Sequence, residues 1–387
     1  MKKPRVVFAF TEAGLGHIMP LKSIADAFKK KYGDKVECVD SNFFTETNSK
    51  HLNDFAKLLA NEVVKHNKMN WYGYGTTILS DILGVNFSSD FVMKFRIPGA
   101  FKDGVKHVDE LDCDLMVSTH WATNYYAVHS QSKPLTFMYC PDALLNAPFR
   151  YQCDVMSCSM ENGYEMALKQ NPKRYNEDNL KLVPFAIRQE AFEVPLDKAE
   201  NRRLLGIDEN AFVVTLAEGG YGIGKMEKIC TIAYERDMPF TMFALCGKNE
   251  ECFENLSKLT KKGKTTIIPL KFTENIFNYL CASDVFCGKS GASMVAEPCF
   301  FGVPHIITQN ATNIEEHNAD YYVNYVKSAM NIFEPEKVVD KLTEFYNNPE
   351  LLTPYIENAK KHHDCYGSEK IADHIYALLK TRFKELD

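Results

Sequence analysis

The sequence predicts an α/β fold of two Rossmann-like, doubly wound domains, and three observations lead there. An apolar strand at residues 6–10 enters the glycine-bearing loop Gly14-Leu-Gly-His17 and leaves it as a helix in which Leu21, Ile24, Ala25 and Phe28 recur at helical spacing. The same layout returns at residue 212, where a strand at 212–216 runs into Glu218-Gly-Gly-Tyr-Gly-Ile-Gly224 and then a helix over 226–236. Around these two starts, short apolar runs alternate with amphipathic stretches, as parallel sheets with crossover helices require. A chain of 387 residues, 45% hydrophobic, is long enough to bury two such cores.

In chain order, a second strand at 35–40 completes the first βαβ unit. Residues 48–104 are rich in Phe, Tyr, Asn and Met with little strand signal, so helices and loops, among them a helix at 55–64, hang here on the first sheet. Strands resume at 115–120, 135–139 and 155–158. Residues 182–187 lead into the polar stretch 188–201, a linker by composition. Further strands fall at 240–245, 265–269, 285–287 and 305–308, and the tail 336–383 is helical. The predicted boundaries are 1–187 for the first domain and 188–365 for the second, with a last helix in 366–387 crossing back onto the first.

Composition narrows the function. The net charge of −6 comes from acidic and basic residues mixed along the whole length, which argues against a nucleic-acid partner. Twelve scattered cysteines without a Cys-x-x-Cys pair suit a reduced, cytoplasmic compartment. The apolar run near the N-terminus is short and reads as a strand, not a signal peptide, and no run is long enough to span a bilayer. The sequons at Asn86 and Asn310 would matter only in a secreted chain. Residues Trp71-Tyr-Gly-Tyr74 and 87–101 fit an apolar acceptor groove, a bilayer contact or a buried amphipathic region equally well.

Several motifs bear chemistry. Gly219, Gly220, Gly222 and Gly224, between a strand and a helix, can present backbone N–H groups to an anion. A P-loop is excluded by Met226 in place of the magnesium-binding hydroxyl after Lys225, and the dinucleotide fingerprint by Glu227 and Lys225 where its third glycine would fall. His17, at the carboxyl edge of the first strand, suits proton abstraction near neutral pH or, alternatively, a helix cap. Asp112-Cys-Asp114 has a metal-binding spacing but precedes a strand, so it reads as a solvated strand entrance. Glu315-Glu-His317 is the nearest approach to a metal cluster, and no metal is predicted.

Gly288-Lys-Ser-Gly-Ala-Ser-Met-Val-Ala-Glu-Pro-Cys-Phe-Phe-Gly-Val-Pro-His305, followed by Asn313-Ile-Glu-Glu-His-Asn-Ala319, resembles the donor-site signature of glycosyltransferase family 28, whose members include lipid glucosyl- and galactosyltransferases. Gly14 to Pro20, Thr119-His120, Pro141-Asp142, residues 183–187 and Gly219 to Gly224 follow the family in order. The resemblance implies a GT-B fold, two facing Rossmann-like domains with a donor cleft between them. It implies inverting, metal-independent transfer of a hexose from a UDP-sugar to a hydroxyl acceptor, a membrane lipid such as diacylglycerol foremost. No cofactor is implied. It assigns Ser290 and Gly291 to the diphosphate with Gly219, Gly220 and Gly222, Glu297 to the ribose, Lys271 and Phe272 to the uracil, and Glu315 and Asn318 to the sugar. Gly14, Gly16 and His120 fall on the acceptor side, and His17 or Asp142 is the base. It also implies a cytoplasmic enzyme, with peripheral contact to the inner membrane face left open. The first loop is poorer in glycine than the family's, Ile314 stands where relatives have Gln, and the Pro-Gly of lipid relatives is missing. A small soluble acceptor, a nucleotide-sugar 2-epimerase and a non-catalytic donor-binding subunit are the alternatives.

Overall fold

The computed structural model describes residues 3–11, 15–259, 261–273 and 276–386. The chain divides into two compact units, Met1–His66 with Trp71–Arg188 and Cys365–Asp387, and Asn67–Asn70 with Gln189–Asp364.

The first unit is built on six parallel strands: β1 (Arg5–Phe10), β2 (Glu37–Asn42), β3 (Leu115–Ser118), β4 (Leu135–Cys140), β5 (Val155–Cys158) and β6 (Leu180–Leu182). Their order is β2-β1-β3-β4-β5-β6. Val6 to Ala9 are fully buried, the continuous apolar run expected of a parallel strand covered on both faces. Helices α1 (Leu15–Tyr32), α2 (Lys50–Lys68), α3 (Asn70–Leu83), α4 (Val85–Asp90), α5 (Pro98–Leu111), α6 (Trp121–His129) and α7 (Glu161–Gln170) accompany them, with a π-helical turn at Phe91–Arg96. The stretch expected to be helices and loops between β2 and β3 is helical almost throughout. The second strand begins two residues later than its apolar run suggested. Residues 183–187 are not a strand, but Phe185 pairs with Tyr366 as an isolated bridge.

One face of this sheet buries Val6, Phe8, Leu21, Ile24 and Phe28 together with Ile371, Ile375 and Leu379 of the C-terminal helix Glu369–Arg382. Tyr32 and Tyr376 stack at 4.0 Å, and the Phe185 N–H donates to the Cys365 carbonyl at 2.7 Å. The other face packs Val7, Ala9 and Met116 against Phe43, Phe44, Phe55 and Tyr126. Asp114 accepts a hydrogen bond from the Arg5 N–H at 2.8 Å, so the second acid of Asp112-Cys-Asp114 clamps the entrance of a strand. Asp112, in the left-handed conformation at φ 46°, closes α5.

The second unit carries β7 (Phe212–Ala217), β8 (Phe240–Gly247), β9 (Lys261–Lys262), β10 (Thr265–Lys271), β11 (Val285–Lys289), β12 (His305–Gln309) and β13 (Ala329–Asn331), ordered β13-β12-β11-β7-β8-β10-β9. All pairs are parallel except β9 with β10. Its helices are α8 (Lys198–Leu204), α9 (Met226–Glu235), α10 (Glu250–Ser257), α11 (Phe277–Ala282), α12 (Ala292–Phe300), α13 (Asn313–Asp320), α14 (Pro335–Asn347) and α15 (Thr353–Lys361). The polar stretch expected as linker holds a 3-10 turn and the start of α8, where Asp197 caps the helix by accepting from the Glu200 N–H at 2.7 Å. Asp284, just before β11, repeats the clamp of Asp114: it accepts from the Val213 N–H and from Arg202. No described helix is long and apolar enough to cross a membrane.

Candidate active site

In the first unit β1 delivers the chain to His17, in the first turn of α1. Its ring turns to the chain just after β3. Nδ1 lies 2.8 Å from the Thr119 carbonyl oxygen, and the Thr119 hydroxyl donates back to the His17 carbonyl at 2.7 Å. A carbonyl oxygen only accepts, so Nδ1 carries the hydrogen and Nε2 keeps its lone pair. Burial lowers the pKa of His17 against the opposing pull of Asp142 and of the Thr119 bond. Phe149 stacks on the imidazole at 5.9 Å and His120 meets it edge-on at 5.4 Å. His120 is the N-cap of α6: its Nδ1 accepts from the Ala122 N–H at 3.2 Å, and burial, then the charge of His17, hold it well below its ordinary value. The structure thus brings His17, His120 and Asp142 together. Gly16 is exposed beside them, and Gly14 lies outside the described residues.

Asp142 and Phe149 share the loop after β4, which α3 holds in place. Asp81 accepts from the Ala147 N–H and from Arg150, both at 2.7 Å. The outer side of α3, α4 and the π-helical turn is unusual for a protein surface. Of the 18 large apolar side chains exposed in the described residues, nine fall between Met69 and Phe95. Trp71 and Ile82 are each 75% exposed and Phe95 70%, and the rings of Phe87, Phe91 and Phe95 form a row at 6.1 and 6.2 Å. The three charged residues of this stretch are all engaged. Asp81 holds the loop just described, while Asp90 accepts from Tyr125 and pairs with Lys94. Met93 and Phe101, by contrast, pack into the core. The aromatic stretch therefore splits into an inner and an outer set, and only the inner set is buried amphipathic structure.

In the second unit the glycine loop follows β7. Gly219 and Gly222 have φ of 73° and 59°, conformations that side chains rarely adopt, and a Cβ at Gly222 would lie 2.0 Å from the Cys246 carbonyl oxygen. The loop is pinned to the turn after β8: the Lys248 N–H donates to Gly220 at 3.0 Å and the Asn249 amide to Gly222 at 2.9 Å. Ser290 and Gly291 stand between β11 and α12, with Gly291 at the N-cap, so the first N–H groups of the helix meet no capping side chain. Ser290 is fully buried and its hydroxyl donates to Asn310 at 2.6 Å. Glu297, on the same helix, is 7% exposed and so is not a solvated helix-face acid.

Thr312 caps α13 through the Glu315 N–H, and Glu315 Oε2 accepts from the Ala311 N–H at 2.7 Å. The buried amide of Asn318 donates to the Ser290 carbonyl at 3.1 Å, tying α13 to the start of α12. Lys271 and Phe272, at the end of β10, lie apart from this cluster in the described contacts: Lys271 pairs with Glu250 at 2.7 Å over the Phe253 ring, and Phe272 is 44% exposed, hence not core.

Two charged residues at strand ends were not singled out by the sequence. Lys289 closes β11, with its side chain 8% exposed and Nζ 3.8 Å from Glu315. Nζ also donates to Asn67, which is grouped with this unit. Glu218 closes β7 and is 2% exposed. The available signal was a charge at the end of an otherwise apolar strand.

Residues 225–374 match the model of the glycosyltransferase family 28 C-terminal domain. The chain is 25% identical over 197 residues to a processive diacylglycerol beta-glucosyltransferase of Bacillus pumilus, covering 51% of each. It is 23% identical over 340 residues to the chloroplastic monogalactosyldiacylglycerol synthase 1 of Arabidopsis thaliana, covering 82% of this chain and 60% of that one. The chain thus spans between 51% and 60% of the length of these relatives. The crystal structure of Acinetobacter baumannii MurG is similar over 97% of this chain and 99% of its own, with a TM-score of 0.62 at 14% identity. That likeness, with two sheets whose strands are parallel except at β9, establishes the GT-B fold.

Proposed function

We propose, from the match of residues 225–374 to the glycosyltransferase family 28 C-terminal domain, that the chain transfers a hexose from a UDP-sugar to a hydroxyl of a membrane lipid, diacylglycerol foremost, inverting the anomeric carbon without a divalent metal. The observation that carries this is the start of α12, inside the matched domain: buried Ser290 just before it, an N-cap at Gly291 without a capping side chain, and buried Glu297 along the helix. Free N–H groups at a helix start stabilise a diphosphate leaving group. Gly219, Gly220 and Gly222 add a second set of amides, Glu297 accepts from the ribose, Lys271 and Phe272 hold the uracil, and Glu315 and Asn318 reach the sugar.

His17 is the base. Its Nε2 takes the acceptor's hydroxyl proton while that oxygen bonds to the anomeric carbon, the bond to the diphosphate breaks, and the electron pair leaves with UDP. The charge of Asp142 stabilises the imidazolium until the proton passes to solvent. A lipid acceptor is supported by the names of the two relatives and by the outer face of α3, α4 and the π-helical turn, which is tied through Asp81 to the loop that stacks on His17. Apolar and aromatic side chains without unpaired charge suit the interface of a bilayer, so we assign this face to peripheral membrane contact.

The test is UDP release by chelator-treated protein from UDP-glucose, UDP-galactose and UDP-N-acetylglucosamine, with and without diacylglycerol vesicles. Lipid-dependent release from one donor, abolished by Glu297→Ala, is expected and names the sugar. Replacing Phe91 and Phe95 by Ser is expected to lower release on vesicles several-fold and leave UDP binding unchanged. Release without lipid dependence would redirect the acceptor to a soluble molecule, and a 2-epimer of the donor as product would replace transfer by epimerisation.

A further inference from the structure

Glu218 begins the glycine loop and then folds back beneath it. Its Oε1 accepts from the Lys225 N–H at 3.0 Å and from the Thr308 hydroxyl at 3.3 Å. Its Oε2 is enclosed and makes no hydrogen bond among the described residues. A Cβ at Gly224 would stand 2.2 Å from the Glu218 carboxyl carbon, so that glycine leaves room for the carboxyl group. The loop is thus wrapped around an acid.

The groups facing Glu218 come from four elements. Lys225 closes the loop and turns its own ammonium away to the Phe333 carbonyl. Thr308 comes from β12, Lys289 from β11 and Glu315 from α13. The Lys289 Cε lies 3.8 Å from where a Cβ of Gly219 would be. Two carboxylates therefore share one buried ammonium, next to amides that the proposed function assigns to a diphosphate. Desolvation lifts the pKa of Glu218 to about 7, against the pull of Lys289 and the Lys225 and Thr308 bonds, with Glu315 adding to the rise.

We propose, resting on the donor assignment above, that Glu218 is a positioning residue of the donor site that takes up one proton from solvent when the diphosphate binds, with Oε2 as its seat. The neutral acid keeps both bonds of Oε1, so the loop holds its shape, while the loss of its charge leaves Lys289 to face the phosphate oxygens against one carboxylate instead of two. A diphosphate placed beside an ionised, enclosed carboxylate would meet like charge in a poorly screened setting. Binding and protonation are then linked, and affinity falls as the free site ionises.

The experiment is calorimetric titration of the full chain with UDP at several pH values between about 7.5 and 8.5, where the terminal phosphate of UDP is largely ionised. Each titration uses two buffers of different ionisation enthalpy, so that the proton count is read directly. The unaltered protein should take up close to one proton, and its Kd should rise by up to about tenfold per pH unit. Glu218→Gln should take up none and bind with a nearly constant Kd. Uptake near zero in the unaltered protein overturns the proposal, and that result needs no variant to fold. Equal uptake and equal pH slope in Glu218→Gln also overturn it while leaving the donor assignment standing. No UDP binding at any pH removes the donor assignment and the proposal with it.

Discussion

The first strand of each unit hands the chain to a titratable side chain, His17 after β1 and Glu218 after β7, and burial drives both toward their neutral forms. The outcomes differ in kind. A neutral imidazole whose Nδ1–H is bound to Thr119 offers a lone pair, whereas a neutral carboxylic acid holds a proton. The same desolvation therefore makes an acceptor of protons in one unit and a store for one in the other. What separates them is access: His17 is half-buried beside a stacking ring, while Glu218 is sealed under a loop.

The sharpest break of this contrast is His17→Ala, which should lower transfer by roughly 10²–10⁴-fold with UDP affinity unchanged, measured by initial rates and calorimetry. An equal loss of UDP binding would place His17 with the donor. The second concerns stability. The folded-state pKa of Glu218 is raised from 4.5 to about 7, so its contribution is fully present below about 4.5 and is lost as pH rises through about 7. Urea melts should show Glu218→Gln gaining on the unaltered protein by about 2 to 3 kcal/mol between pH 5 and pH 8. The smallest effect is expected from Asp142→Asn. Asp142 raises the pKa of His17, so its removal lowers that value and should move the acid limb of the kcat/KM profile to lower pH. The maximal rate should fall about tenfold as the imidazolium loses its neighbouring charge.

The sequence made the sheets readable because parallel strands buried on both faces appear as apolar runs; β5 and the start of β7 fall where those runs do. β6, β9 and β13 were not readable, since strands of two or three residues at or near a sheet edge leave no pattern. At the site, the glycines, Ser290, Gly291 and Glu297 were named from their motif. Glu218 was not, because its burial is made by Thr308 and Lys289, which arrive from other strands at least 70 residues further on. The aromatic stretch around Phe91 had three readings in the sequence, and only the direction of each side chain divides them: Met93 inward, Phe91 and Phe95 outward.

The C-terminal helix packs Ile371, Ile375 and Leu379 into the core of β1 and α1 and lays Tyr376 on Tyr32. During synthesis this wall of the first unit consequently waits for residues 369–382, while the residues of the second unit, Asn67–Asn70 with Gln189–Asp364, are all made before them. The unit whose strands are made first is thus the one completed later, and its apolar sheet face stays uncovered until Ile371, Ile375 and Leu379 arrive.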